Sequence, residues 1–417
     1  DLIYNDGTPV TAADYVFSVL LQNAPEMAAI GGSMGMFDYL RGMDAYRSGE
    51  AKTAAGLRLL DAYTFEMEID GAYWPMFYGI AMLRVFPRPI SAIAPGCTVR
   101  DDGKGAYIDG VFTEELLRET ILDAETGYLA NPSVTCGPYV LEGYDRDAGV
   151  VRFAVNENHR GVTPSIQRIT FTTVSERQAI EALTTGKVDL LNKVTAKDAV
   201  TAGQDLATEA SGFLAQTYLR DGLTYLALDC GNGPTGSEAV RHAFALALDR
   251  EGMLAKVGGP SVVPVYGYYG IGQWMTTYDL PSGKNNGVSV GEALGNLEIP
   301  YDPAQAAALL KADGWTLNEQ GTPFVAGQDT IRHKEENGIL TPLVLPLAMA
   351  ADSEVAVRLS PDFEEAFAPV GIWLKVDEIS FCEMLPHYEQ PADGEHNLFL
   401  VGSNFLDVFD PVYDFNT

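Results

Sequence analysis

The feature that most constrains this fold is an alternation of strand-length apolar runs with helical segments over residues 343–405. Leu343–Met349 is an apolar run of strand length, Ser353–Phe367 has helical spacing, and Ile372–Glu378 alternates Ile372, Leu374 and Val376 with Lys375 and Asp377. Ser380 and Glu383 form a capping box that opens a short helix, and Asn397–Phe405 follows. The run Leu398, Phe399, Leu400, Val401 suits a strand covered on both faces. Strands alternating with helices imply an α/β fold with a mostly parallel sheet, and such sheets bind ligands beyond the carboxyl ends of their strands. Asp407 lies just past such an end. The pattern supports two readings of it: a solvated turn carboxylate beside Asp410-Pro411, or a carboxylate that pairs with a cation in a cleft. A peptide α-ammonium would serve as that cation, with the flanking strand offering backbone hydrogen bonds to an extended ligand.

A chain of 417 residues is too long for one core and predicts two or three domains. Apolar residues at 47% and charged residues at 20% describe an ordinary globular protein. A net charge of −30, from 27 basic and 57 acidic residues, repels phosphate backbones and argues against nucleic-acid binding. The best candidate for a membrane span, residues 73–86, is broken by Pro75 and Arg84. Cys97, Cys136, Cys230 and Cys382 contain no CxxC pair, which argues against a zinc ribbon or a disulfide scaffold. The chain opens at Asp1 with neither initiator Met nor signal peptide, as expected if targeting information has been removed or was never included.

Along the chain, Asp6–Pro9 reads as a turn, and Thr11 with Asp14 as the start of a helix. Thr64–Asp70 alternates as a half-buried strand, and Arg100–Tyr128 reads as an irregular acidic excursion with a short helix near Glu114–Ile121. Tyr139–Tyr144 and Val150–Val155 form a hairpin. Arg168–Val174, a helix from Ser175 to Gly186, and Val188–Leu191 read as a βαβ unit. Tyr225–Asp229 is a further strand, Glu238–Leu254 one amphipathic helix, and Asp302-Pro303 opens a helix that Gly314 closes.

Motifs for chemistry are sparse. Gly31–Gly35 matches the GxSxG of a serine-hydrolase elbow around Ser33, but that elbow follows a strand, whereas the preceding segment here is helical. His159, His242, His333, His387 and His396 are scattered, with no HExxH and no i,i+4 pair, so spacing gives no metal site. Gly267, Gly270 and Gly272 lack dinucleotide-binding spacing, and no cofactor is indicated. Tyr266, Tyr268, Tyr269 and Trp274 crowd that same loop, where they line a binding cleft or simply pack.

The chain resembles the family 5 extracellular solute-binding proteins, the peptide- and nickel-binding components of ABC importers. The likeness rests on YNDGTPVTAADYVFSVL (4–20), CGPYVLEGYDRDAGVVRFAVNENHRG (136–161), IQRITFTTVSERQAIEALTTGKVDL (166–190), YLALDC with SEAVRHAFALALDREGML (225–254) and YDPAQAAALLKADGW (301–315). It implies a two-lobed periplasmic-binding-protein-like fold with an accessory domain, its mixed sheets flanked by helices. Residues 1–135 would be most of the accessory domain, 136–229 part of the first lobe and 230–417 the second lobe. Hinge crossings would fall near 228–232, with family sequence before residue 1 and after 417.

The resemblance further implies a non-enzymatic monomer outside the cytoplasmic membrane, periplasmic or lipid-anchored, that passes short peptides to a membrane permease. A nickel chelate or an oligosaccharide is the alternative ligand, and a secreted serine hydrolase using Ser33 the alternative class. Asp407 takes the place of the family's ammonium-binding aspartate, with Ser403, Asn404 and Phe405 giving backbone contacts and Phe381 and Tyr388 lining the cleft. Two departures from the family pattern stand out. No arginine can be placed as a partner for a ligand carboxylate, and Pro361 interrupts what is usually a long helix.

Overall fold

The computed structural model describes residues 2–32, 37–74, 83–208, 210–218, 220–257, 262–273, 298–351, 353–389 and 394–405. The chain divides into two compact units, Asp1–Thr173 and Val174–Thr417.

The first unit begins with helix α1 (Ala12–Asn23). Asp14 Oδ2 accepts the Thr11 backbone N–H at 2.8 Å and its hydroxyl at 3.0 Å, the reciprocal arm of a capping box. Val16, Phe17, Val19 and Leu20 of α1 are fully buried against Leu40, Leu57 and Ala106. Around this core lie the antiparallel pair β1 (Leu57–Asp61) and β2 (Thr64–Met67) and the pair β3 (Thr98–Asp101) and β4 (Ala106–Asp109). The second pair corrects the irregular excursion expected over Arg100–Tyr128. Turn chemistry overrides the polar composition there: Asp101 Oδ1 accepts from the Gly103 N–H at 2.7 Å, and Gly103 takes φ +90°. Strands β5 (Tyr139–Asp145), β6 (Val150–Val155) and β7 (Arg168–Thr172) form an antiparallel sheet, with the expected hairpin as its first two strands.

In the second unit, α2 (Glu176–Thr184) ends at Gly186, whose φ of +71° suits the left-handed closing position. The βαβ unit expected here does not form. Residues 188–191 carry no strand, Leu190 is 79% exposed, and helix α3 (Lys197–Leu206) follows. An apolar run becomes a strand only where a sheet edge accepts its hydrogen bonds, and none pairs with this one among the described residues.

The central sheet has four strands. β11 (Val344–Ala350) lies between β12 (Trp373–Ile379) and β13 (Leu398–Asn404), parallel to both, and β8 (Gly222–Leu228) adds antiparallel to the outer side of β13. A separate hairpin, β9 (His333–Glu336) with β10 (Ile339–Pro342), precedes β11.

Helices α4 (Glu238–Ala247), α5 (Arg250–Val257), α6 (Pro303–Ala312) and α7 (Glu354–Ala366) contribute to one core with Leu345, Leu347, Met349, Leu398 and Leu400. Ala348, Ala350 and Phe399 point to the opposite face and pack against Met384 of helix α8 (Phe381–Glu389). The sheet is therefore covered on both faces, as the apolar run at 398–401 requires.

Two helix readings are corrected. The single helix expected over Glu238–Leu254 is two, because Leu248 is extended at ψ 109° and Asp249 Oδ1 accepts the Gly252 N–H at 2.9 Å, starting a new helix. Pro361 does not interrupt α7, which runs through it. The burial of Phe363 and Phe367 on the following turns outweighs one lost backbone hydrogen bond.

Candidate functional site

The carboxyl ends of β11, β12 and β13 fall on one side of the sheet, together with the amino end of antiparallel β8. There the ladder continues past the last paired residues: the Phe405 N–H donates to the Asp221 carbonyl at 2.6 Å. The loop 262–273 packs on the same edge, its Gly272 N–H donating to the Arg220 carbonyl at 3.0 Å. Gly270 is required there, since a Cβ on it would lie 2.6 Å from the Asp221 carbonyl carbon.

A hydroxyl and aromatic cluster occupies this edge. Alternation along β13 points Phe399, Val401 and Ser403 to one face, and the register places Tyr225 of β8 opposite Val401. Tyr225 Oη lies 3.1 Å from Tyr388 Oη and 3.4 Å from Ser403 Oγ, and Tyr268 Oη lies 3.3 Å from Ser403 Oγ. The Tyr268 ring meets Tyr225 edge-on at 5.4 Å and Phe405 at 5.0 Å, and Tyr388 meets Phe399 at 5.7 Å. Burial is the main cause that raises the Tyr225 phenol above its ordinary value, so it stays a neutral donor. Such a cluster offers a ligand aromatic surface and hydroxyl groups without net charge.

Charge enters from the β8 side. Arg220 Nη2 donates to Asn404 Oδ1 at 2.9 Å. Asp221 Oδ1 is enclosed and has no hydrogen-bond partner among the described residues. An enclosed carboxylate oxygen without a donor is costly and invites a cationic partner.

Of the residues the sequence nominates, the structure brings Ser403, Asn404, Phe405, Tyr268 and Tyr388 to this edge. Phe381, in the first turn of α8, is 48% exposed and joins none of these contacts. Asp407, Trp274 and Ser33 lie outside the described residues. Sequence reasoning missed Tyr225, Arg220 and Asp221. Tyr225 belongs to a strand that was foreseen, but its antiparallel seat beside β13 leaves no signal in the spacing. The histidines scattered in sequence are not all apart in space: the His387 and His396 rings lie 5.4 Å from each other.

Among the described residues no helix is long and apolar enough to cross a membrane. The nickel-binding periplasmic protein of Escherichia coli is 24% identical over 330 residues, 77% of this chain and 52% of that protein. The oligopeptide-binding protein OppA of Lactococcus lactis subsp. lactis is 23% identical over 336 residues, 76% of this chain and 49% of that protein. The chain thus spans about half the length of the curated relatives it matches.

Among solved structures, lactococcal OppA with an endogenous peptide in the closed conformation superposes with a TM-score of 0.73 at 16% identity, over 97% of this chain and 69% of that one. Brucella suis NikA with Fe(III)-EDTA gives 0.59 at 17% identity, over 97% and 66%. These likenesses show an α/β fold of the periplasmic-binding-protein type. The model of the bacterial extracellular solute-binding proteins, family 5 Middle, matches residues 1–417, and the chain belongs to that family.

Proposed function

We propose that this chain is the ligand-holding part of an ABC-importer substrate-binding protein that takes up short peptides with a free amino terminus. The observation that carries this reading is the strand end at Ser403–Phe405, which is flanked by Tyr225, Tyr268 and Tyr388 and has the enclosed Asp221 carboxylate beside it. An extended peptide lies against such an edge through its backbone, while aromatic walls accept side chains. Asp407, two residues past Phe405, supplies the carboxylate for the peptide ammonium. Family membership and two oligopeptide-binding relatives support the peptide class. The protein works as a monomer outside the cytoplasmic membrane, closes on its ligand by hinge bending near 228–232, and delivers it to a membrane permease without chemical change. Lobe assignments of 136–229 and 230–417 with an accessory domain over 1–135 go with this reading.

Calorimetric titration of the full-length protein with short peptides, and with the same peptides N-acetylated, tests it. Binding abolished by acetylation, and weakened by roughly 3–5 kcal/mol in Asp407→Asn, is expected for a buried ammonium–carboxylate pair. Equal binding of both peptide forms would remove the ammonium from recognition. A second reading, a metal chelate as ligand, is favoured by the nickel-binding relative and the NikA likeness. It predicts no heat with either peptide set and binding of the chelate instead.

A further inference from the structure

A second cluster lies at the amino end of β13, away from the edge described above. His387 sits in the last turn of α8, and Glu395 and His396 immediately precede β13. One ring nitrogen of each histidine and one carboxylate oxygen of Glu395 lie within 4.8 Å of one another. His396 is 6% exposed, and its two nitrogens differ. Nε2 is 3.3 Å from Asp377 Oδ2 on β12, while Nδ1 is enclosed with no hydrogen-bond partner among the described residues. A carboxylate that receives one N–H of an imidazole leaves the lone pair of the other nitrogen for a cation, which is how carboxylates behind metal-binding histidines orient their rings. A buried ring nitrogen with nothing to bind carries an uncompensated desolvation cost.

We propose that His387, His396 and Glu395 bind a first-row divalent cation of the Zn²⁺ kind, with Asp377 as the residue that positions His396. Two imidazoles and one carboxylate match the borderline ligand preference of such ions, whereas Mg²⁺ and Ca²⁺ take oxygen ligands. Ligand atoms around a tetrahedral Zn²⁺ sit about 3.3 Å apart, given bonds of about 2.0–2.2 Å. The groups must therefore draw together by about 1.5 Å at most. His396 is fixed by burial, but the Glu395 side chain is 67% exposed and that of His387 28%, so both can rotate inward. Lys375 Nζ lies 3.8 Å from Asp377 Oδ2, on the side of β12 that faces His396 through the same carboxylate oxygen. The proposal does not rest on the peptide reading, since its test reads metal binding alone, although the His396 ring meets Phe399 of the aromatic cluster at 6.0 Å.

The test is titration of metal-stripped full-length protein with ZnCl₂ alone by calorimetry, with Co²⁺ absorption as a second readout. Wild-type protein is expected to bind a single equivalent and to give visible Co²⁺ bands. His387→Gln and Glu395→Gln each raise the Zn²⁺ Kd by at least about tenfold, and Asp377→Asn raises it by about 10–100-fold. These three residues are exposed or half-buried, so folding is retained and checked by circular dichroism; buried His396 is left intact. Absence of Zn²⁺ binding by the folded wild type, or unchanged binding in His387→Gln and Glu395→Gln, would overturn the proposal.

Discussion

Pro361 offers a direct test of how this fold balances local preference against packing. It sits in the interior of α7, where it removes one backbone hydrogen bond to residue Val357 and crowds the preceding turn, at a cost of about 3 kcal/mol relative to alanine. Its side chain is exposed, so Pro361→Ala removes little packing. The substitution also frees the unfolded chain, which costs about 0.4–1 kcal/mol. The difference leaves a net stabilisation of about 2 kcal/mol, trimmed towards about 1 if water already satisfies the Val357 carbonyl. For a unit of this size that is a rise of roughly 2–8 °C in midpoint. Trp315, 5% exposed in the core of the second unit, provides a fluorescence signal for that unit's transition in thermal and urea unfolding. A lower or unchanged midpoint would refute the reasoning and show that the proline geometry itself fits α7 to the sheet.

Three other predictions follow from the same physics. Phe367 is fully buried and stacked on Phe244 at 4.5 Å with planes 6° apart, so Phe367→Ala should cost about 3–5 kcal/mol in urea unfolding of the second unit. A loss below about 1 kcal/mol would mean the site collapses around the void. Asp101 accepts from Arg58 Nε at 2.7 Å and Nη2 at 3.0 Å, and the Arg58 guanidinium chiefly holds its carboxyl below the usual range. Its contribution is complete above the ordinary carboxylate value and is lost as pH falls through the lowered one; Asp101→Asn should flatten that acid limb for the first unit, and an unaltered pH profile would contradict the pairing. Tyr225→Phe removes the hydroxyl between Tyr388 and Ser403 and should weaken peptide binding by about 0.5–1.5 kcal/mol with the fold intact; unchanged titration heats and affinity would place the ligand elsewhere.

The sequence by itself determined the elements whose signals are local. Strand-length apolar runs separated by helical spacing gave the parallel strands β11, β12 and β13, and Ser380 with Glu383 capped α8, the Glu383 carboxylate accepting the Ser380 N–H at 3.0 Å and its hydroxyl at 2.7 Å. Motifs spread along the chain identified the family, and the strand end at Ser403–Phe405 was legible as a candidate binding edge because parallel sheets place their ligands there.

What the tertiary structure decided was which distant segments meet. Periodicity says which face of a strand is buried, but it does not name the partner strand. So β8 beside β13, and with it Tyr225, Arg220 and Asp221 at the candidate binding edge, became visible only in the fold. The same holds for Val188–Leu191, apolar enough for a strand yet without an edge to pair with among the described residues. His387 and His396 are another case: helix α8 returns the chain along the sheet and sets its last turn beside the start of β13, where nine residues of sequence separation become ring contact. Hydrogen-bond ladders and helix returns are set by the burial of whole faces, and that long-range balance leaves no mark in local spacing.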